Sequence, residues 1–408
     1  MALFRTLNTL RRDAVNLALH TLGLKKSKGR GKSGKPQLYR TYDLTAVRRP
    51  AVQAQPLLLP SSLLVSDVVR ETADAVSVVL ANPDGQAINF RPGMFYTVVV
   101  TIDGQEYRRA YSISSAAHHG DKVAITVKRV AGGLVSNWIN DHLKAGDTLR
   151  VLGPSGNFTV TPDASQARNM VLVGAGSGIT PLMSITRSLL ETEPLTRIHL
   201  QYGNRSLDDI IFRDALSMLE QEYDERLSIT HVLETPPEEW QGEVGRLDRA
   251  TFARLLDGIL IDNPLPELEV YTCGPEPVMK GVEEEVLSRG LPASRFHQEK
   301  FTPSAGPADA SRFTAQPVEI TLSGKSWTAT AQPGQTLLEA GLAAGAPVQF
   351  SCTLGGCGRC RVKITQGEVD MPEPNCLLPE EKAQHYALSC IARACTPVSF
   401  EIDPPQSH

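Results

Sequence analysis

Leu3, Leu7, Leu10, Ala14 and Leu17 alternate four- and three-residue spacings, and with Phe4, Val15 and Leu22 they predict a helix with one apolar face ending near Gly23. Lys25 to Pro36, rich in Gly, Ser and Lys, reads as a flexible linker. From about Leu57 to Phe158 the pattern becomes that of short strands, clearest at Thr97–Ile102 and Lys122–Val127, separated by turn residues such as Pro83-Asp84-Gly85. Several such runs predict an antiparallel sheet or barrel. Between about Asn169 and Phe301, apolar runs at 171–173, 198–200 and 268–271 are each followed by a helix-length segment, the rhythm of a parallel α/β sheet. Thr302 to Ala315, with two Pro, one Gly and repeated Ala and Ser, reads as a linker. A compact segment follows from about Pro317, with small strands around one short helix near Leu337 to Ala344. The predicted units are an extension at 1–54, a barrel at 55–162, an α/β domain at 163–301, a linker at 302–316 and a small α+β domain at 317–408.

Length agrees with this division, since 408 residues at roughly 150 per domain make two or three cores. Hydrophobic residues make up 41% and charged residues 21%, and no apolar run approaches the ~18 residues of a spanning helix, which argues against a membrane-spanning protein. The net charge of -4 conceals an asymmetry: residues 1–50 carry +10, which leaves -14 for residues 51–408. The basic head is therefore a separate device from the acidic body. All seven Cys lie in the last third, six of them in the last 57 residues, which indicates local chemistry rather than a scaffold of disulfides. Without a signal-peptide pattern, the cytoplasm is the expected compartment.

The strongest chemical signal is Cys352-Thr-Leu-Gly-Gly-Cys357-Gly-Arg-Cys360 with Cys390 thirty residues on, the plant-type [2Fe-2S] spacing. Thiolates suit iron, and Gly355, Gly356 and Gly358 let the loop wrap closely enough for backbone N–H groups to point at sulfur. The alternative is a four-cysteine zinc site, although zinc knuckles pair two short Cys units and only one stands here. Cys376 and Cys395 read as spare thiols, and His118-His119 as solvated turn residues.

Gly174-Ala-Gly176-Ser-Gly178-Ile-Thr180-Pro181 places a Gly-rich turn directly after a strand and before a helix, where a pyrophosphate could meet the helix N-terminus. The turn departs from G-x-G-x-x-G, because Ile179 stands where the third Gly belongs. The end of the next strand, Gln201 to Ser206, carries no acid for a ribose hydroxyl but supplies Arg205, which favours NADPH over NADH. Upstream, Arg109-Ala-Tyr111-Ser112 can offer a cation to a phosphate, an aromatic face to a ring system and a hydroxyl to a ring nitrogen. Lys128 to Ser136 adds Gly132-Gly133 before a helix-like run from Leu134 to His142, a second anion-receptive helix start.

With these strings in order, residues 55–408 resemble the ferredoxin-NADP reductase superfamily, in its class with a plant-type ferredoxin at the C-terminus. Reductase components of phenylacetyl-CoA epoxidase, of ring oxygenases and of fatty-acyl desaturases look similar. The resemblance implies an FAD-binding barrel, an NAD(P)-binding α/β domain and a β-grasp ferredoxin domain. It assigns Arg109, Tyr111 and Ser112 to flavin phosphate, isoalloxazine and N5, and Lys128, Gly133, Val135 and Ser136 to the second flavin segment. It gives the nucleotide Gly174, Gly176, Gly178, Thr180, Arg205, Ser206, Gly274 and Pro275, puts Cys273 near the site of hydride transfer, and makes Glu299 and Phe301 the terminal segment near the flavin, with Ser112, Cys273 and Glu299 as the catalytic candidates. Cys352, Cys357, Cys360 and Cys390 become the cluster ligands.

A nicotinamide gives two electrons at once and a [2Fe-2S] cluster takes one, so a flavin between them makes a two-to-one converter. The implied activity is an NADPH-dependent reductase serving a terminal oxygenase, hydroxylase or desaturase. The competing reading is a wiring subunit of a larger dehydrogenase complex, disfavoured by the separate ferredoxin-like segment. The apolar and basic head, residues 1–36, suggests peripheral contact with an anionic membrane or docking on a protein surface. Nucleic acid is not expected, because the head lacks interleaved aromatics and the body is acidic.

Overall fold

The structure is a computed structural model describing residues 60–117, 120–301, 310–350, 352–356, 358–372, 375, 377 and 379–402. The proposed N-terminal helix, His118-His119, Cys357 and Cys376 lie outside the described residues.

The first unit is a six-stranded antiparallel sheet with strands in the order β4-β3-β6-β1-β2-β5. These are β1 (Ser61–Thr72), β2 (Ala75–Ala81), β3 (Phe95–Ile102), β4 (Gln105–Ser112), β5 (Lys122–Lys128) and β6 (Thr148–Ser155). Its two edges approach each other through the bridge between Ile113 and Ile125, which curls the sheet into a barrel. Val65, Val78, Val98, Ile125 and Val151 fill the interior, and α1 (Leu134–His142) covers one end through Val135 and Ile139.

The second unit is a fully parallel sheet, β10-β9-β8-β7-β11-β12. It comprises β7 (Asn169–Ala175), β8 (Arg197–Asn204), β9 (Leu227–Leu233), β10 (Glu243–Val244), β11 (Leu268–Cys273) and β12 (Phe296–Glu299). Helices α2 (Ile179–Thr192), α3 (Arg213–Glu222), α4 (Arg249–Leu260) and α5 (Glu276–Ser288) alternate with the strands. Burial on both faces explains why five consecutive residues of β7, Met170 to Gly174, are buried instead of alternating.

The third unit is a mixed sheet, β14-β13-β19-β15-β17, in which β13 and β19 run parallel. Its strands are β13 (Gln316–Leu322), β14 (Lys325–Ala331), β15 (Arg361–Gln366), β17 (Tyr386–Leu388) and β19 (Val398–Ile402), with β16 (Val369–Asp370) and β18 (Arg393–Ala394) forming a small ribbon. Helix α6 (Leu337–Ala343) buries Leu337, Leu338 and Ala340 against this sheet, and a short α7 (Pro379–Ala383) follows. Thr336 and Glu339 close a reciprocal capping box at the start of α6.

The joint between barrel and α/β unit is polar and buried. Ser184 Oγ of α2 donates to the Ser115 carbonyl at 2.7 Å, and Ser188 Oγ accepts from the Ala117 N–H at 3.0 Å. Both serines are fully buried, so their hydroxyls serve the barrel loop rather than water. At the other end of α2, the buried carboxylate of Glu193 accepts from Arg168 Nε at 3.2 Å and from the Asp163 N–H at 3.0 Å, and it also meets Thr196 Oγ1. Arg168 further reaches Glu269 and the Thr161 carbonyl. This knot ties the chain leaving the barrel to the α/β sheet. Glu193→Ala should take one of two carboxylate partners from the part-buried Arg168 and leave the Asp163 N–H without its acceptor, at a cost of about 1–3 kcal/mol, seen as an earlier midpoint in urea unfolding followed by circular dichroism. Glu193→Gln, which keeps an acceptor, should cost less, and an unchanged midpoint for the alanine variant would show that the knot does not stabilise the joint.

Candidate functional site

The parallel strand order reverses direction between β7 and β11, and ligands of such sheets sit beyond the carboxyl ends of the strands at that point. Cys273 ends β11 opposite Gly174 of β7, so the two predicted motifs, Gly174–Gly178 and Cys273-Gly274-Pro275, face each other. The approach is close: a Cβ on Gly178 would stand 1.9 Å from the Cys273 carbonyl oxygen, which excludes any other residue there. Thr180 Oγ1 donates to the Ser177 carbonyl at 2.9 Å and Tyr202 Oη to the Gly176 carbonyl at 3.0 Å, so both hold the turn's shape. Gly178 caps α2 without a side chain, and the Ile179 N–H that opens the helix is taken by the Gly176 and Ser177 carbonyls of the turn itself.

A cavity of about 390 Å³ opens beside this turn, lined by Ala175, Gly176 and Pro275 on one side and by Gly203, Asn204 and Arg205 on the other. Lys128 reaches it from the barrel, and Glu234 and Arg246 from beyond β9. Asn204 stands at this cavity with both polar atoms of its amide buried beside the Tyr202 side chain. Arg205 Nη2 and Ser206 Oγ bind the two oxygens of Asp209 at 2.6 and 2.8 Å, so one carboxylate orients both predicted nucleotide residues. The end of β8 carries no acid, as its sequence shows, but Glu234 reaches the same cavity from the end of β9, because parallel strands end side by side.

A second cavity, of about 340 Å³, lies where all three units meet. The barrel supplies Phe95, Arg109 and Ser112, the end of the α/β unit Gln298, Glu299 and Phe301, and the cysteine loop Cys352, Leu354 and Gly356. Its size suits a fused-ring heterocycle. Ser112 Oγ donates to Glu299 Oε2 at 3.3 Å, and Glu299 is paired in register with Cys273. Burial pushes the Glu299 carboxyl up to about 8, the Ser112 hydrogen bond opposing it in part, so at neutral pH this group carries its proton. Burial and the neighbouring Glu299 raise the Cys273 thiol, which stays protonated. Gln298 Oε1 is buried without a partner while its Nε2 donates to Glu283 at 3.2 Å. Phe301 is 48% exposed at the cavity, an apolar surface that a bound ring would cover.

Other predicted residues stand apart from these linings. Tyr111 is half-buried against the barrel core, and Val135 is wholly inside it. Ser136 Oγ accepts the Val130 N–H at 3.1 Å, shaping the turn that Gly133 closes through its own bond to the Val130 carbonyl. Lys128 lines the cavity beside the Gly-rich turn rather than the one where the three units meet, and its Nζ lies 3.9 Å from Asp74.

Cys352, Cys360 and Cys390 are buried, each less than a tenth exposed. The Leu354 and Gly356 N–H groups donate to Cys352 Sγ at 3.4 Å, the stabilisation that a thiolate bound to iron requires. Cys360 and Cys390 are within hydrogen-bonding reach of each other, and Ser389 ties their segments by donating its N–H and hydroxyl to the Cys360 carbonyl at 3.0 and 2.9 Å. Three of the four predicted ligands are thus drawn into one buried region, with thiols as the donor set that an iron–sulfur cluster takes. Cys395 is exposed at the end of the domain.

A flavin- and nucleotide-binding reductase fused to a ferredoxin is the class these cavities and thiols define. Residues 63–160 match the oxidoreductase FAD-binding domain, 172–284 the oxidoreductase NAD-binding domain and 320–395 the 2Fe-2S iron–sulfur cluster binding domain. The chain is 33% identical over 341 residues to one of the subunits of the 1,2-phenylacetyl-CoA epoxidase of Escherichia coli, covering 82% of this chain and 95% of that one. It is 35% identical over 347 residues to the ferredoxin reductase component of 3-ketosteroid-9-alpha-monooxygenase of Rhodococcus rhodochrous, covering 82% and 94%. The fold is that of phthalate dioxygenase reductase, with a TM-score of 0.56 at 24% identity over 84% of this chain and 98% of that structure. The chain belongs to the ferredoxin-NADP reductase superfamily, in its class with a fused plant-type ferredoxin, and is an NAD(P)H-dependent electron-transfer oxidoreductase.

Cys360→Ser should remove the visible [2Fe-2S] absorption and cytochrome c reduction while ferricyanide reduction, which can draw on flavin, persists. Cys395→Ser should retain the cluster, and loss of absorption there instead would reassign the ligand set.

Proposed function

We propose that this chain takes electrons from NADPH, passes them through FAD to the cluster and delivers them singly to a terminal oxygenase component. The observation that carries this reading is the shared cavity, where Ser112, Glu299 and Cys352 come from three different units. Bound there, a flavin would accept the nucleotide's electron pair and release it one electron at a time. Arg109 offers the flavin a cation, Ser112 a hydroxyl and Gln298 an acceptor. Glu299 holds a proton at its carboxyl beside Ser112, close to where a ring nitrogen would need one. Cys273 supports the nicotinamide end from beneath Gly178, as a neutral buried thiol.

The oxygenase acceptor is supported by relatives that are parts of an epoxidase and of a monooxygenase. A hydroxylase or a fatty-acyl desaturase belongs to the same wider class of acceptor. The head, residues 1–36, carries nine basic residues, one acid and an apolar stripe, which supports peripheral contact with an anionic membrane beside such an acceptor. Deleting it should abolish salt-sensitive sedimentation with phosphatidylserine vesicles; full-length protein that stays in the supernatant at low salt would exclude that contact.

For the nucleotide, Arg205 and Arg246 favour a 2′-phosphate, whereas Glu234 in the same cavity favours the free hydroxyl of NADH. Arg205→Ala should raise KM for NADPH about 10-fold or more, as expected for losing a charge-assisted bond of ~1.5–3 kcal/mol, and should scarcely affect NADH. Equal losses would assign Arg205 to loop support through Asp209, and a wild type preferring NADH would assign the ribose to Glu234.

A further inference from the structure

We propose that Thr97 is a positioning residue for electron transfer between the flavin cavity and the cluster: its hydroxyl holds the cysteine loop against the barrel through the carbonyl of Cys352. This inference rests on the electron path proposed above and adds the contact that sets its length.

Thr97 lies in β3, 1% exposed, followed by Val98, Val99 and Val100. A fourth valine would satisfy the strand and the core equally well, so the hydroxyl needs its own reason, since a buried O–H without a partner is costly. Its partner lies 255 positions away: Thr97 Oγ1 donates to the Cys352 carbonyl at 3.1 Å. The same carbonyl accepts Thr353 Oγ1 at 2.7 Å. Thr353 has φ +56°, a left-handed conformation rare for a β-branched residue, so the loop accepts strain at this point. Cys352 is thereby held at both ends, its carbonyl by two hydroxyls and its Sγ by the Leu354 and Gly356 N–H groups. Cys352, Leu354 and Gly356 line the cavity that Ser112 lines from the barrel, so whatever fixes this loop fixes the distance from flavin to cluster. At the rim of the same contact, Arg108 Nη1 approaches Glu339 Oε1 at 3.9 Å, joining β4 to the capping residue of α6. A part-exposed pair at that separation adds little, which leaves the buried hydroxyl as the clamp.

The test uses full-length holoprotein and two variants, Thr97→Val, which keeps shape and loses the donor, and Thr97→Ser, which keeps the donor. In Thr97→Val, amide exchange of residues 352–356, followed by mass spectrometry, should be about fivefold faster, the ratio expected for losing one buried hydrogen bond. Anaerobic stopped-flow should show slower flavin-to-cluster transfer with flavin reduction by nucleotide at the wild-type rate. Thr97→Ser should return both readouts close to wild type. Unchanged exchange in Thr97→Val, faster exchange with unchanged transfer, or a serine variant no better than valine would each overturn the proposal. If nucleotide cannot reduce the wild-type cluster, the electron path itself fails. The exchange ratio would then still report whether Thr97 holds the loop.

Discussion

The function of this chain depends on one constraint: three separately cored units must close on a single cavity. An electron acceptor carried on its own domain is useful only at a fixed distance from its donor, and nothing within each core fixes that distance. It is set at the joints. The barrel meets the α/β unit through buried serines on α2 and through the Glu193 knot, and it meets the ferredoxin unit through Thr97 and the Cys352 carbonyl. At the first joint these hydrogen bonds accompany apolar packing of Ala75, Phe158 and Val160 against α2 and β7, and hydrogen bonds fix direction as well as proximity.

Charge is arranged in the same spirit. The nucleotide cavity mixes Lys128, Arg205 and Arg246 with Glu234 and Asp248, so its cations are partly answered before any phosphate arrives. The cavity where the three units meet instead holds Glu299, whose carboxyl burial shifts toward its neutral form.

Much of this was legible in the chain. The Cys352–Cys360 spacing, the Arg109–Ser112 string and the Gly174–Gly178 turn are local signals, because each gathers its residue types within one short segment. The strand runs at Thr97–Ile102 and Lys122–Val127 and the helix at Leu134–His142 correspond to β3, β5 and α1, although β3 buries Phe95 to Val100 without alternation. What escaped was made by folding. Glu234 joins the Arg205 cavity only because β9 lies beside β8, and Gln298 matters only because β12 runs beside β11. Thr97 looks like one more β-branched strand residue until a loop 255 positions away reaches its hydroxyl. The acid missing from the end of β8 shows the rule: a motif reports its own segment, and a parallel sheet assembles sites from segments that never adjoin in sequence.

The position of β12 carries a consequence of its own. This four-residue strand is an outer edge of the α/β sheet, bonded on one side only to β11, and it bears Gln298 and Glu299. Edge strands open at lower free energy than central ones, because fewer ladder bonds have to break. The resistance of this half of the sheet to local opening therefore declines from β7 through β11 and is least at the strand that borders the cavity of Ser112 and Cys352. The strands with most ladder partners thus lie under the Gly174–Gly178 turn, and the one with fewest carries Gln298 and Glu299.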